Sequence, residues 1–394
     1  MHCRAPDHPE REDFASGTAA AAAAGITTIL EMPIAAIGVA HPDILNARRE
    51  LAERDTHVDF GLYAAPGSLD PKLIHALAEA GACAFKIFTL SVPTDRGRSF
   101  EGISIINEDD IYRALSIVAE TGLICAVHAE NDALLRLGRE QARAQHLTGA
   151  DAFIAAHPQA AEAMAVAWMV VLAEATQARV HIVHMTSAWA LDFLRLAKRR
   201  GVPISAETCP HYLLFDETTA REHGCWAKIA PPLRPASDRA ALWAALVDGT
   251  LDILASDHAP FLPHEKEAED ILATPSGLPN LEAFPPLMLS EAHAGRLAIS
   301  HMISLLTARP ARLYGLYPQK GAVQPGSDAD LVLYDPKAQS TIDTSTWQSR
   351  SRGSARIFHG LHYQGRILRT IVRGKTVYQN GQVVGRAVGA YGAR

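Results

Sequence analysis

Four short apolar runs carry a residue able to bind a metal ion at or near their ends: Lys86 in CAFKIFT, His128 in AVHAEN, His184 in HIVHMTS and Asp257 in LASDHAP. Taken singly, each has an ordinary explanation. A histidine at a strand end is commonly a hydrogen-bonded core residue, and Ser-Asp-His suits a turn or a helix cap. Lys86 is harder to dismiss, because an ammonium among Cys83, Ala84, Phe85, Ile87 and Phe88 is costly to bury without a partner. Reaction of its amine with carbon dioxide would remove the positive charge. The product, a carbamate, is an anionic two-oxygen ligand able to bridge two metal ions. Four such residues on four runs point to one shared site.

The surrounding elements must bring those ends together. β-Prone runs at 26–31, 58–64, 82–89, 123–129, 179–185, 202–208 and 251–256 alternate with helical stretches that include 107–121, 151–175, 188–200 and 237–248. Near-continuous apolar strands separated by helices indicate a parallel sheet covered on both faces. In a closed (β/α)8 barrel the C-terminal strand ends meet at one mouth, where active sites are built. Seven candidate strands are present, whereas a closed barrel needs eight. From about residue 318 the pattern changes. The segments 326–336 and 366–384 are β-prone, the second broken by Asn380-Gly381, a strong hairpin signal. The division expected is an α/β barrel over 1–317 and a small β portion, half a core on its own, over 318–394.

Composition narrows the class further. The 394 residues are 48% hydrophobic and 20% charged, with a formal charge of −6, as in ordinary soluble proteins. The longest basic run is Lys198-Arg199-Arg200, so nucleic acid is not an expected partner. No apolar stretch approaches the roughly 18 residues of a membrane span, and no signal segment is evident. Five cysteines, widely spaced and without a CxxC pair, suggest reduced thiols in a cytoplasm.

These motifs resemble the cyclic amidohydrolase branch of the amidohydrolase superfamily, the dihydroorotases, allantoinases and hydantoinases. The resemblance covers nearly the whole chain. It is carried by DFASGTAAAAAAGITTILEMP, FKIF, VHAEN, IVHMTS, AETCPHYL, PPLR, SDHAPF, PSGLPNLE and PGSDADLVLYDP, in family order. It implies a (β/α)8 metal-dependent hydrolase barrel with a partial β-sandwich, and two divalent metal ions at the barrel mouth. Oxygen and nitrogen donors without thiolate suit zinc, with manganese or cobalt as alternatives. Lys86 would be the carboxylated bridging lysine, and His128 and His184 ligands of one metal. Asp257 would bind the other metal and act as general acid–base. A His-x-His pair normally completes the second metal's shell, and counting back from Gly17 places His2 on its second histidine. His211 and His258 are possible supports for the ligands, and His181 is the competing ligand on the strand of His184. Strand one, half of a sandwich and the other histidine of the pair are then all unaccounted for. A chain cut short at its start would explain all three. Such a chain is expected to be poorly soluble and almost inactive, and to be restored by extension upstream.

The resemblance leaves the substrate divided. Arg4 lies where dihydroorotases place an arginine for the substrate carboxylate, a bidentate task suited to guanidinium. Yet Ile34 replaces their asparagine and Phe261 their histidine. GITTILEMP and APPLRP are closer to allantoinases, whereas SVPTDRGRSFEGIS matches neither dihydroorotases nor hydantoinases closely. The expectation is an allantoinase-like ring opener of a ureide or hydantoin, with Arg4, Ala230, Ser276 and Gly277 contacting the substrate. Dihydroorotase is the alternative, and a non-catalytic scaffold or regulatory relative the second. A homodimer or homotetramer is also implied.

Overall fold

A computed structural model describes residues 1–92 and 97–392; Pro93 to Arg96, inside the SVPTDRGRSFEGIS segment, lie outside the described residues. Each of the seven β-prone runs forms a strand: β1 (Thr28–Glu31), β2 (Asp59–Ala64), β3 (Ala84–Phe88), β4 (Ile124–His128), β5 (Arg179–Ile182), β6 (Ile204–Thr208) and β7 (Ile253–Leu254). They pair in parallel in the order β1-β2-β3-β4-β5-β6-β7. Helices on the outer face follow most strands, as parallel connections require. The helix Glu108–Thr121 opens with three acids in its first turn and stops at Gly122, whose φ of 70° is left-handed.

The 151–175 stretch differs from the expected single helix. It forms two helices, Gly149–Ala156 and Gln159–Thr176, interrupted at His157-Pro158. A proline disfavours helical backbone in the residue before it, and His157 takes φ −124°, ψ 66°. The break frees the His157 carbonyl and turns its ring inward.

β1 and β7 are the two edges of the sheet. At the mouth, residues 1 and 2 run between them. The Met1 amine donates to the Leu30 carbonyl, Met32 N–H donates to the Met1 carbonyl, and His2 N–H donates to the His258 carbonyl. Below this bridge lies a cavity of about 970 Å³ whose walls include Ile26, Ile29, Ile253, Leu254, Pro310 and Val332. The chain start is tied down by buried charge. Arg48, from the helix Pro42–Asp55, forms a two-pronged ion pair with Glu31 at 2.6 and 2.9 Å. The same guanidinium donates to the carbonyls of Cys3 and Ala5.

The C-terminal residues form an antiparallel sheet of β8 (Leu331–Thr341), β9 (His362–Val372), β10 (Lys375–Gln379) and β11 (Gln382–Val383), in the order β11-β10-β9-β8. Asn380 and Gly381 make the β10–β11 turn with φ of 49° and 88°, the geometry that favours this dipeptide. Thr370 of β9 donates to the Ala22 carbonyl, joining the sheet to the helix Phe14–Ala23. Leu331, Val332 and Leu333 of β8 remain exposed.

Glu282, in the PSGLPNLE run, docks the 348–349 segment by accepting from the Gln348 and Ser349 N–H groups. Burial pushes its carboxyl up from 4.5 to about 8, against those two N–H groups, which favour the anion. With the folded value raised, the unfolded chain loses this proton first as pH rises. Folding stability therefore falls between about pH 4.5 and 8, and the Glu282 contribution is level above that. Glu282→Gln removes the slope. Urea melts at about pH 5 and about pH 8 should show the variant gaining on wild type at the higher pH.

Candidate metal centre at the barrel mouth

The strand register sets the site. Phe88 of β3 pairs with His128 of β4, and Lys86 lies one pleat below, beside Ala126. His128 is the last residue of its strand, and His184 follows β5 by two residues. Asp257 follows β7 by three. His184 and Asp257 have φ of 43° and 47°. Left-handed backbone is uncommon outside glycine, though His and Asp tolerate it better than most, and such conformations cluster at functional sites. Here they turn both side chains in from loops.

His128 Nδ1 and His184 Nε2 face each other at 2.9 Å. The His128 ring stacks on Phe88, with centroids 4.8 Å apart. Lys86, His184, Asp257 and His2 line the same cavity, together with Glu207 and Tyr63. The Lys86 ammonium is buried 4.6 Å above the Phe88 ring and has no hydrogen-bond partner. Burial pushes it down to about 7, although the charges of Asp257 and Glu207 work the other way. Asp257 is pushed up to about 7 by desolvation and by Glu207. Both histidines are held below their ordinary range, chiefly by burial. Neutral imidazoles are the form that ligates metal. An unpartnered amine, a carboxylate and a histidine on one cavity, with a second histidine nitrogen facing the first, fit a divalent metal pair.

The expected substrate contacts lie elsewhere on the mouth. Ala230 packs in a small cluster with Phe153 and Ile271. Gly277 N–H donates to the Lys228 carbonyl, which brings Ser276 and Gly277 beside the 228–230 segment, and Leu278 bridges to His258. Two buried lysines fasten this wall: Lys228 Nζ donates to the carbonyls of Ile271 and Thr274, and Lys266 Nζ to those of Lys228 and Gly277. Arg4 is stacked 5.2 Å above the Phe261 ring and is not among the residues lining the cavity. His181 is engaged by Glu207 and Ser205 at 3.0 and 2.8 Å. His258 is held on both ring nitrogens, by Glu12 and by the Asn280 N–H. His211 accepts from Asn280, and burial pushes it down to about 3.

Two acids were not singled out from the sequence. Glu207 lies in AETCPHYL and Glu130 in VHAEN. A signal was present, since a carboxylate in or just past an apolar strand is costly unless it has a partner. Among the described residues, one acidic cluster has metal-like spacing: Asp59, Asp328 and Asp330. Asp59 begins β2, so the cluster sits at the end of the strand away from the mouth. Lys320 bridges all three carboxylates and Arg373 also pairs with Asp59. This is an ion-pair knot tying the C-terminal sheet to the barrel.

Among the described residues no helix is long and apolar enough to cross a membrane. Residues 2–377 match the Amidohydrolase family. An allantoinase of Rubrobacter xylanophilus is 33% identical over 400 residues, covering 99% of this chain and 85% of the relative. A D-phenylhydantoinase of Escherichia coli is 33% identical, covering 95% of this chain and 81% of the relative. Among solved structures, the L-hydantoinase (dihydropyrimidinase) from Arthrobacter aurescens superposes with a TM-score of 0.95 at 29% identity. That match covers 100% of this chain and 87% of the other. With the mouth geometry described above, these matches show that the chain belongs to the amidohydrolase family, among its cyclic amidohydrolases.

Proposed function

We propose that the protein hydrolyses a cyclic amide, opening the ring of a ureide or hydantoin at a two-metal centre held by His2, Lys86, His128, His184 and Asp257. The observation that carries this reading is that His184, on the cavity it shares with Lys86 and Asp257, faces His128 Nδ1 with its Nε2 at 2.9 Å. Lys86, as its carbamate, would bridge the two metals; its buried, unpartnered amine at about 7 is readily neutral and so able to react with carbon dioxide. The metals, zinc by the donor set, would supply a water of lowered pKa and polarise the amide carbonyl. Asp257, on the same cavity, would accept the proton of the attacking water and return it to the leaving ring nitrogen. The backbone around Ala230, Ser276 and Gly277 would flank the ring.

Arg4 bears on the choice of substrate. Arg4 lies over the face of Phe261 and does not line the cavity, which favours a ring without a carboxylate, such as allantoin or hydantoin. A homodimer or homotetramer belongs to the same reading, supported by exposed Met164, Val171, Trp189 and Leu196 on two neighbouring helices. So does a reducing, cytoplasmic location, supported by five free cysteines.

The test is metal content after zinc and bicarbonate loading, then turnover of allantoin, hydantoin, dihydrouracil and dihydroorotate. About two metal ions per chain and preferred turnover of allantoin or hydantoin are expected. A protein that takes up no metal and opens none of these rings would overturn the proposal.

A further inference from the structure

Glu130 is fully buried two residues beyond His128, and its two carboxylate oxygens go to two different histidines. Oε2 lies 2.8 Å from His128 Nε2, and Oε1 lies 2.9 Å from His157 Nδ1. A carboxylate can only accept, so both ring nitrogens carry protons. The proton of His128 is thereby fixed on Nε2. Nδ1 is left as its bare nitrogen, and that is the atom facing His184 Nε2 at 2.9 Å.

We propose that Glu130 is a positioning residue, which sets the tautomer and ring plane of His128 so that its Nδ1 lone pair points at the metal position, with His157 as its anchor. This rests on the metal-centre reading above. The anchor is itself held. Arg234 donates to the His157 carbonyl at 2.6 Å, and its Nε donates to Thr186 Oγ1 at 3.2 Å. Thr186 stands two residues beyond His184, and its N–H donates to buried Glu162 at 2.7 Å. One network thus starts at His128, passes through Glu130, His157 and Arg234, and returns to the segment carrying His184. At the other end Thr89 Oγ1 donates to the carbonyls of His128 and Glu130 and takes the Glu130 N–H, fixing the backbone between them. The helix break at His157-Pro158 makes this possible, because a continuous helix would have used the His157 carbonyl internally. A carboxylate behind a ligating histidine orients the ring and raises its basicity.

Glu130→Gln keeps the shape but offers one acceptor oxygen to two N–H groups. Its zinc affinity, measured by competition with a chromogenic chelator, should fall about 10- to 100-fold with an unchanged circular dichroism spectrum. His157→Gln, which leaves the His128 contact in place, should fall less. Nitrogen-15 histidine NMR of the metal-free wild type should show His128 as the Nε2–H tautomer. That measurement decides the matter even if Glu130→Gln does not fold. Wild-type zinc affinity in a folded Glu130→Gln, or His128 found as the Nδ1–H tautomer, would overturn the inference. A wild type that binds no zinc would instead count against the metal-centre reading, with the tautomer still deciding the role of Glu130.

Discussion

Lys86→Ala should lose most of the bound metal, and with it ring-opening activity by at least ~10²-fold, the upper range seen when a residue that merely supports a ligand is lost. The size follows from chemistry. The carbamate would supply a two-oxygen anionic bridge, and alanine offers no donor at all. The fold should survive, because the Lys86 amine has no hydrogen bond to lose. Folding without its cost would be easier still, since burial already pushes the ammonium down to about 7. Elemental analysis of zinc-loaded protein, with circular dichroism as the control, checks both parts. Full metal content in a folded Lys86→Ala would refute the bridging role.

Arg48→Met should destabilise the protein by about 3–5 kcal/mol, because it leaves the Glu31 carboxylate buried with its ion-pair partner removed. Glu31 and Arg48 are both nearly inaccessible, and their pairing is two-pronged. The loss also reaches the site. The Arg48 guanidinium holds the carbonyls of Cys3 and Ala5, and so the segment that brings His2 to the mouth. Weaker metal binding should therefore accompany the lower urea midpoint. The double change Glu31→Gln with Arg48→Met should recover part of the stability, since the stranded charge is gone. A loss under about 1 kcal/mol in Arg48→Met would show that the pair contributes little more than an exposed one.

Some of this molecule is legible without coordinates, for local reasons. A short apolar run such as ICAV in β4, bounded by turn residues, reads as a strand buried on both faces, and all seven candidates pair in parallel. Asn380-Gly381 marks its turn because few other pairs accept two successive left-handed residues. Lys86, His128, His184 and Asp257 stand out because polar groups on apolar runs are costly, and in a parallel barrel such runs end at one mouth. The break at His157 was equally local, in Pro158, and the unbroken reading of 151–175 passed over it.

Which partner each buried charge takes was decided only by the tertiary structure. Sequence shows that Glu130, Glu207 and Glu31 need compensation, but not that they find it in His157, His181 and Arg48. Nor does it show that Arg4 rests on Phe261, or that the Asp59, Asp328 and Asp330 cluster is already filled by Lys320. The physical reason is range. Periodicity and turn chemistry act over a few residues and fix which elements form, whereas the cost of burying a charge is met by whatever packing brings within about 3 Å. The Glu130 carboxylate meets residues 2 and 27 positions away in the same way, and only the closed fold makes those separations equal.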